Sequence, residues 1–343
     1  MPQNTTVLLT GVTGFLGSHT TIQLLNKGYQ VLGTMRNLDR ADAIRKVIAA
    51  HTKNIDRLTF ARADLTDPVD WEEHLEGVSY VQHIASPFPR TLPKREEDLI
   101  RPAVDGTLAI LQASAKKGIK RVVLTSSSGA IVYGKPKGQE SGTYDENNWT
   151  DPDNYRDTTP YFRSKTLAER AAWNFIEKDD SGLQLSTVCP GAILGPVLEE
   201  DFGTSANMVI KQLDGSVPAI PRIGFDIVDV RNVADLLIRA MEQPGAANQR
   251  YVGSAGFASF TDIAHTLRKA YPNRTFPKRK LPNFAVRLFS NFDASLKPIL
   301  IDLGLERRVD HRKAVDQLDW NPGTPEEAIL ACAESVLALG IVK

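Results

Sequence analysis

Along the first half of the chain, apolar residues come in short β-branched runs separated by stretches of helical periodicity. Val7-Leu8-Leu9-Thr10 reads as a buried strand, followed by a glycine-rich turn and a helix from about Ser18 to Lys27. Gly28 ends that helix, and Tyr29 to Thr34 forms a second strand. Residues 40–51 read as helical, and strands are predicted at 58–62, 78–83 and 121–125. A long helix, about Glu96 to Lys117, separates the last two. Another helix, about Tyr161 to Lys178, leads to a strand at 184–188. This alternation predicts a doubly wound α/β fold, a parallel sheet covered by helices.

Beyond Pro190 the pattern breaks up, with Gly and Pro recurring between Gly191 and Gly224. Asp229 to Met241 reads as a turn and an amphipathic helix returning to the first domain, and 261–303 as a small lobe rich in Lys, Arg and aromatics. The expected organisation is a Rossmann domain over 1–194, rejoined by 226–250. A smaller, mostly helical substrate lobe takes 195–225 and 251–323, and a terminal helix takes 324–343. The apolar segment Ala328 to Val342 is too short to span a bilayer.

Composition narrows the class of partner. Of 343 residues, Lys plus Arg and Asp plus Glu each total 41, so there is no basic field for nucleic acid. A small molecule is the expected partner, with no membrane, and the chain is expected as a monomer or homodimer. The two cysteines, Cys189 and Cys332, are far apart, and no secretory leader precedes Val7. Both point to a reduced, cytoplasmic setting, in which the Asn-x-Ser/Thr matches at Asn4, Asn148 and Asn273 carry little meaning. The six histidines are scattered without metal-ligand spacing, so no metal is expected, and His83 reads as a packing residue.

Gly11-Val12-Thr13-Gly14-Phe15-Leu16-Gly17 lies between a predicted strand and a predicted helix. In that position the first glycine permits a tight turn and the second admits a pyrophosphate to backbone N–H groups. The third allows the helix to pack closely. An acidic residue about 20 positions on would grip the ribose hydroxyl of NAD. Arg36 stands at the end of the second strand instead, with Arg40 beyond it. A guanidinium suits a 2′-phosphate, so the expected cofactor is NADP(H).

Tyr161 and Lys165 are four residues apart at the start of a predicted helix, hence one turn apart on one face. An ammonium beside a phenol stabilises its phenolate, which would let Tyr161 act as general acid or base near neutral pH. Upstream, the strand 121–125 ends in Ser126-Ser127-Ser128, at the carboxyl edge where open α/β sheets bind ligands. A hydroxyl there can hydrogen-bond a substrate carbonyl as charge builds on its oxygen.

Together with Pro190-Gly-Ala-Ile-Leu-Gly195-Pro196, these motifs resemble those of extended short-chain dehydrogenases/reductases. His83-Ile-Ala85-Ser86-Pro87-Phe88, Tyr144-Asp145-Glu146-x-x-Trp149 and Val228-Asp229-Val230-Arg231-Asn232-Val233-Ala234 are similar to the dihydroflavonol reductase-like branch, which includes microbial ketone and aldehyde reductases. The resemblance implies that Ser127, or its neighbour Ser128, orients the carbonyl and that Tyr161 gives the proton. Lys165 then holds the nicotinamide ribose and lowers the Tyr161 pKa. It further implies that Asp64 and Leu65 flank the adenine, with Ala85, Pro190, Ala192 and Ile193 on the nicotinamide side. The reading of Asp64 as a simple loop cap stays open beside this.

The expected activity is NADPH-dependent reduction of a fairly apolar ketone or aldehyde. A nucleotide-sugar epimerase shares Tyr161 and Lys165, but usually retains NAD through an acidic residue where Arg36 stands. A dehydratase would want acidic residues in the serine segment, which has none. A non-catalytic NADP sensor would not need Ser127, Tyr161 and Lys165 together. Phe202, Met208, Phe225, Phe284 and Phe289 suggest an apolar pocket without fixing its shape.

Overall fold

The computed structural model describes residues 5–65, 71–86, 95–199, 202–217, 219–290 and 299–343. Asn4 and the Pro87-Phe88 end of one motif lie outside the described residues. A seven-stranded, wholly parallel sheet forms the centre. Its strands are β1 (Thr6–Thr10), β2 (Gln30–Met35), β3 (Leu58–Arg62), β4 (Tyr80–His83), β5 (Arg121–Thr125), β6 (Gln184–Pro190) and β7 (Gln249–Gly253). They lie in the order β7-β6-β5-β4-β1-β2-β3, with the direction of winding reversing between β1 and β4. This is the expected doubly wound α/β fold.

The sheet is apolar on both faces, as a parallel sheet buried under helices must be. Val7 and Leu9 of β1 pack on one side with Leu24, Leu25, Val233 and Leu237, from helices Phe15–Asn26 and Val230–Glu242. Leu8 faces the other way, into a core with Ile110, Leu111 and Ala172 from helices Glu97–Lys116 and Pro160–Ile176. Those two long helices, which could equally have paired between subunits, pack against each other on one face of this chain's sheet.

The return to the sheet runs through helix Val230–Glu242 to β7, which ends at Gly253. Ala314, Leu318 and Trp320 also pack into the core beneath the sheet. A second core gathers Val209, Ile210, Ile263, Leu267, Ile329 and Cys332 from helices Asn207–Leu213, Phe260–Ala270 and Pro325–Ala338. This lobe contains strands that the sequence pattern did not reveal. Ala192–Leu194, Gly224–Asp229 and Gly256–Ser259 form a three-stranded sheet. Two of them begin with glycine and the third has three residues, so their alternation is too brief to read.

Candidate active site

The turn after β1 closes on itself. Gly11 has φ +76, and the N–H groups of Gly11 and Val12 both donate to the Thr34 carbonyl at 3.2 Å. Gly14 N–H donates to the Gly11 carbonyl at 3.0 Å, and a Cβ on Gly17 would stand 2.0 Å from that same oxygen. Helix Phe15–Asn26 therefore starts hard against the end of β1. No side chain caps it, and Gly14 at its N-cap is exposed. An uncapped helix N-terminus behind an exposed glycine is the cradle a pyrophosphate needs. Thr13 is half-buried, Leu16 is committed to the core, and Phe15 meets the His19 ring edge-on at 5.5 Å.

Arg36 is exposed just past the end of β2. Arg40 closes the short turn Leu38–Arg40, which the Asn37 side chain caps, and its Nη2 donates to both Glu199 carboxylate oxygens at 3.3 Å. It thereby bridges the β2 loop to the chain beyond Gly195. Asp64 and Leu65 follow β3, and Leu65 shares a cavity with Ala85, Ser86, Thr125, Ser126 and Lys165. Ala85 lies directly on the turn, its backbone 3.2 Å from where a Gly11 Cβ would be.

Thr10 holds that segment in place. Its Oγ1 accepts from the N–H groups of Ile84 and Ala85, each at 3.0 Å, and lies 3.0 Å from His83 Nδ1. With two protons already accepted, the hydroxyl must give its own proton to Nδ1. His83 is buried and neutral, its pKa pushed down to about 3 by burial and then by the Lys165 charge. It is the packing and hydrogen-bonding residue expected.

Helix Pro160–Ile176 begins where Thr159 accepts from the Phe162 N–H and Pro160 takes the first helical position. This sets Tyr161 in the first turn, facing the serine segment. The Tyr161 hydroxyl lies near enough to the Ser127 side chain for that hydroxyl to favour its phenolate. Ser127 also accepts from Gly129 N–H at 3.0 Å, which fixes its rotamer. Its neighbours diverge: Ser126 donates to Glu169 at 2.6 Å, and Ser128 lines a separate cavity. Lys165, one turn after Tyr161, donates to the Thr125 carbonyl at 3.2 Å.

Burial governs the charges here. It raises the Tyr161 pKa above its ordinary value, with the Ser127 hydroxyl opposing. The direction is the reverse of the lowering by Lys165 that the resemblance implied, because desolvation of the phenolate outweighs what surrounds it. The phenol is thus held protonated at neutral pH. Burial also lowers Lys165 to about 8 against the pull of Glu169 and Cys189.

Pro190 is buried at the end of β6, and Ala192 and Ile193 carry the chain into the lobe sheet beside Ile227 and Val228. The cavity beside Ser128 is lined by Tyr133, Ala192, Phe225, Asp226, Asp302 and Arg307. Of the large apolar residues singled out above, Phe225 lines it, whereas Phe202 and Met208 join the second core and Phe284 and Phe289 are 73% and 51% exposed. The lining is more polar than expected, with buried Arg307 paired to Asp157 and Asp302.

Sequence reasoning missed Glu169 and Arg250. Glu169 is wholly buried and bonded to Arg250 Nε at 2.7 Å and Nη2 at 3.0 Å. The signal was present: an acid four residues beyond Lys165, and an arginine inside a run otherwise fit for a strand. Among the described residues no group of three or more His, Cys, Asp and Glu could hold a metal ion, and no helix is long and apolar enough to cross a membrane.

The model of the NAD dependent epimerase/dehydratase family matches residues 7–252. The chain belongs to that family. An uncharacterized oxidoreductase of Schizosaccharomyces pombe is 34% identical over 284 residues, covering 78% of this chain and 83% of the relative. Dihydroflavonol 4-reductase of Zea mays is 31% identical over 283 residues, covering 80% and 76%. Yeast methylglyoxal/isovaleraldehyde reductase Gre2, solved with NADPH, superposes with a TM-score of 0.80 at 25% identity, covering 98% of this chain and 99% of that one. The resemblance to extended short-chain dehydrogenases/reductases and their dihydroflavonol reductase-like branch is thereby borne out.

Proposed function

We propose that this family member is an NADPH-dependent carbonyl reductase in which Tyr161 is the proton donor. The carrying observation is the placement of Tyr161, in the first turn of helix Pro160–Ile176, beside Ser127 at the carboxyl edge of the sheet and one helical turn from Lys165, which is bonded to the Thr125 carbonyl. The NADPH-bound neighbour and the reductase relatives support the same reading. The chain is an NADP-dependent oxidoreductase on this account. The turn from Gly11 to Gly17 holds the pyrophosphate, and Arg36, joined by Arg40, meets the 2′-phosphate. Asp64 and Leu65 flank the adenine, and Ala85, Pro190, Ala192 and Ile193 line the nicotinamide side.

When bound, NADPH supplies a hydride to the carbonyl carbon. Ser127 donates a hydrogen bond to the substrate oxygen as negative charge grows on it. Tyr161 transfers its phenolic proton to that oxygen, giving the alcohol, and is reprotonated from solvent. Burial keeps Tyr161 in the acid form this direction needs. Lys165, as an ammonium, binds the nicotinamide ribose and stabilises the phenolate left behind. The substrate class is a ketone or aldehyde, presented from the Ser128 side, where Asp226, Asp302 and Arg307 favour a body with polar groups beside its apolar part.

The test is oxidation of NADPH, followed at its absorbance band, with aryl ketones, diketones and aldehydes. Stoichiometric alcohol formation, lost in Tyr161→Phe, is expected. Epimerisation of a UDP-sugar with no oxidation by any carbonyl would overturn the reading.

A further inference from the structure

We infer that Glu169 is a positioning residue for this reaction: it holds Lys165 as an ammonium ion and ties the serine turn to the catalytic helix, with Arg250 as its anchor. The inference rests on the role proposed above for Lys165.

Glu169 follows Lys165 by one helical turn, on the same face, and is 0% exposed. Its Oε1 accepts from Arg250 Nε at 2.7 Å and Thr187 Oγ1 at 2.8 Å. Its Oε2 accepts from Arg250 Nη2 at 3.0 Å and Ser126 Oγ at 2.6 Å. Arg250 in turn donates to the carbonyls of Glu146, Asn148 and Ala130 and lies 3.8 Å over the Trp149 ring. One carboxylate thus links β5, β6, β7 and the helix carrying Tyr161 and Lys165. Ser126 grips that helix at residue 169, and its neighbour Ser127 stands beside residue 161.

A buried ion pair is a poor way to gain stability, since well-packed apolar residues do as well. Here the charges have a further use. Among the described residues, the ionisable groups around Lys165 are Tyr161 and Glu169 on its own helix, His83 on β4 and Cys189 on β6, with Arg250 on β7 behind Glu169. Burial keeps His83 neutral and holds the Cys189 thiol protonated, pushing it up to about 12. Glu169 is therefore the one anion in the set, flanked by two cations. Remove it, and the cation able to release a proton is Lys165, because a guanidinium does not. A neutral Lys165 no longer stabilises the Tyr161 phenolate.

Two variants separate this role from mere pairing with Arg250. Glu169→Gln removes the anion, and Glu169→Gln with Arg250→Met removes the stranded guanidinium as well, restoring a neutral core should the single variant fold poorly. Lys165 protonation is read by competitive acetic anhydride labelling across pH, with mass spectrometry of the Lys165 peptide. Catalysis is read as the pH profile of kcat/KM for carbonyl reduction. In both variants the labelling midpoint and the alkaline limb of the profile should fall together by at least about one pH unit, a tenfold shift in the protonation equilibrium. Glu169→Asp should recover most of the shift. A double variant whose midpoint coincides with the wild type would overturn the inference, leaving Glu169 only a partner for Arg250. If the wild type reduces no carbonyl, the proposed function fails while the labelling result still decides the Glu169–Lys165 coupling.

Discussion

Gly17 offers a sharp test of how tightly the nucleotide turn is built. An alanine there would put its Cβ 2.0 Å from the Gly11 carbonyl oxygen, 2.9 Å from its carbon and 3.2 Å from Val12 Cα. All three are backbone atoms, so the first contact must open by about an ångström through movement of the turn itself. Helix propensity pulls the other way, favouring Ala over Gly by about 1 kcal/mol. Overpacking costs about 1–3 kcal/mol, and a rigid backbone obstacle places this site at the upper end. The net expectation is a loss of about 2 kcal/mol, or roughly 3 °C in Tm for a chain of this size. Gly14 is the control, because a Cβ there meets only the Gly11 oxygen at 3.4 Å and its φ of −82 suits any residue. Gly14→Ala should cost no more than about 1 kcal/mol through the poorer N-cap. Its methyl nevertheless stands on the exposed side of the turn and should raise the Kd for NADPH roughly tenfold by holding the pyrophosphate away. Calorimetric melting and a fluorescence titration with NADPH measure both effects. A Gly17→Ala protein that melts at or above Gly14→Ala would refute the reasoning.

Two further outcomes follow from charges described above. Arg36→Asp should weaken NADPH at least about tenfold while leaving NADH within about twofold, since charge-assisted bonds of about 1.5–3 kcal/mol are lost only with the 2′-phosphate; titration with each cofactor checks this, and equal effects would sink the assignment. His19 Nε2 donates to the Pro196 carbonyl at 2.9 Å, and burial pushes its pKa down to about 4, with that hydrogen bond opposing. Its folded value lies below the unfolded one of about 6.5, so on acidification the unfolded chain takes the proton first. Stability present above about pH 6.5 is then lost as pH falls towards 4, by up to about 3 kcal/mol. His19→Gln should flatten that loss, measured as urea midpoints at pH 7 and pH 5; parallel losses in both proteins would refute it.

The residues that could be read ahead of the structure share one property: their signal is local. β1 and β5 carry unbroken apolar runs, and the turn from Gly11 to Gly17 and the Tyr161–Lys165 spacing need only neighbouring positions. β7 was hidden because Arg250 interrupts its run, and Arg250 sits there only because Glu169, far off in sequence, is waiting to receive it. The polar cavity beside Ser128 was illegible for the same reason. Tyr133, Asp226 and the Asp302–Arg307 stretch come from three separate segments, and nothing in any one of them announces the others. The direction of the Tyr161 shift also depended on burial, a property of the folded surroundings rather than of residue spacing.

The position of β7 has a consequence for how the protein is made. Until Gln249–Gly253 docks, β6 is an open edge, and Val188 lacks the neighbouring Tyr251 that seals it. The nucleotide half therefore cannot complete itself as the chain leaves the ribosome; it has to wait for some 250 residues, the intervening lobe strands included. During that interval an apolar strand edge is available to any other nascent copy. A fragment ending near residue 194 keeps that edge permanently, so a minimal nucleotide-binding domain must extend at least through Gly253 and carry the intervening lobe segment with it.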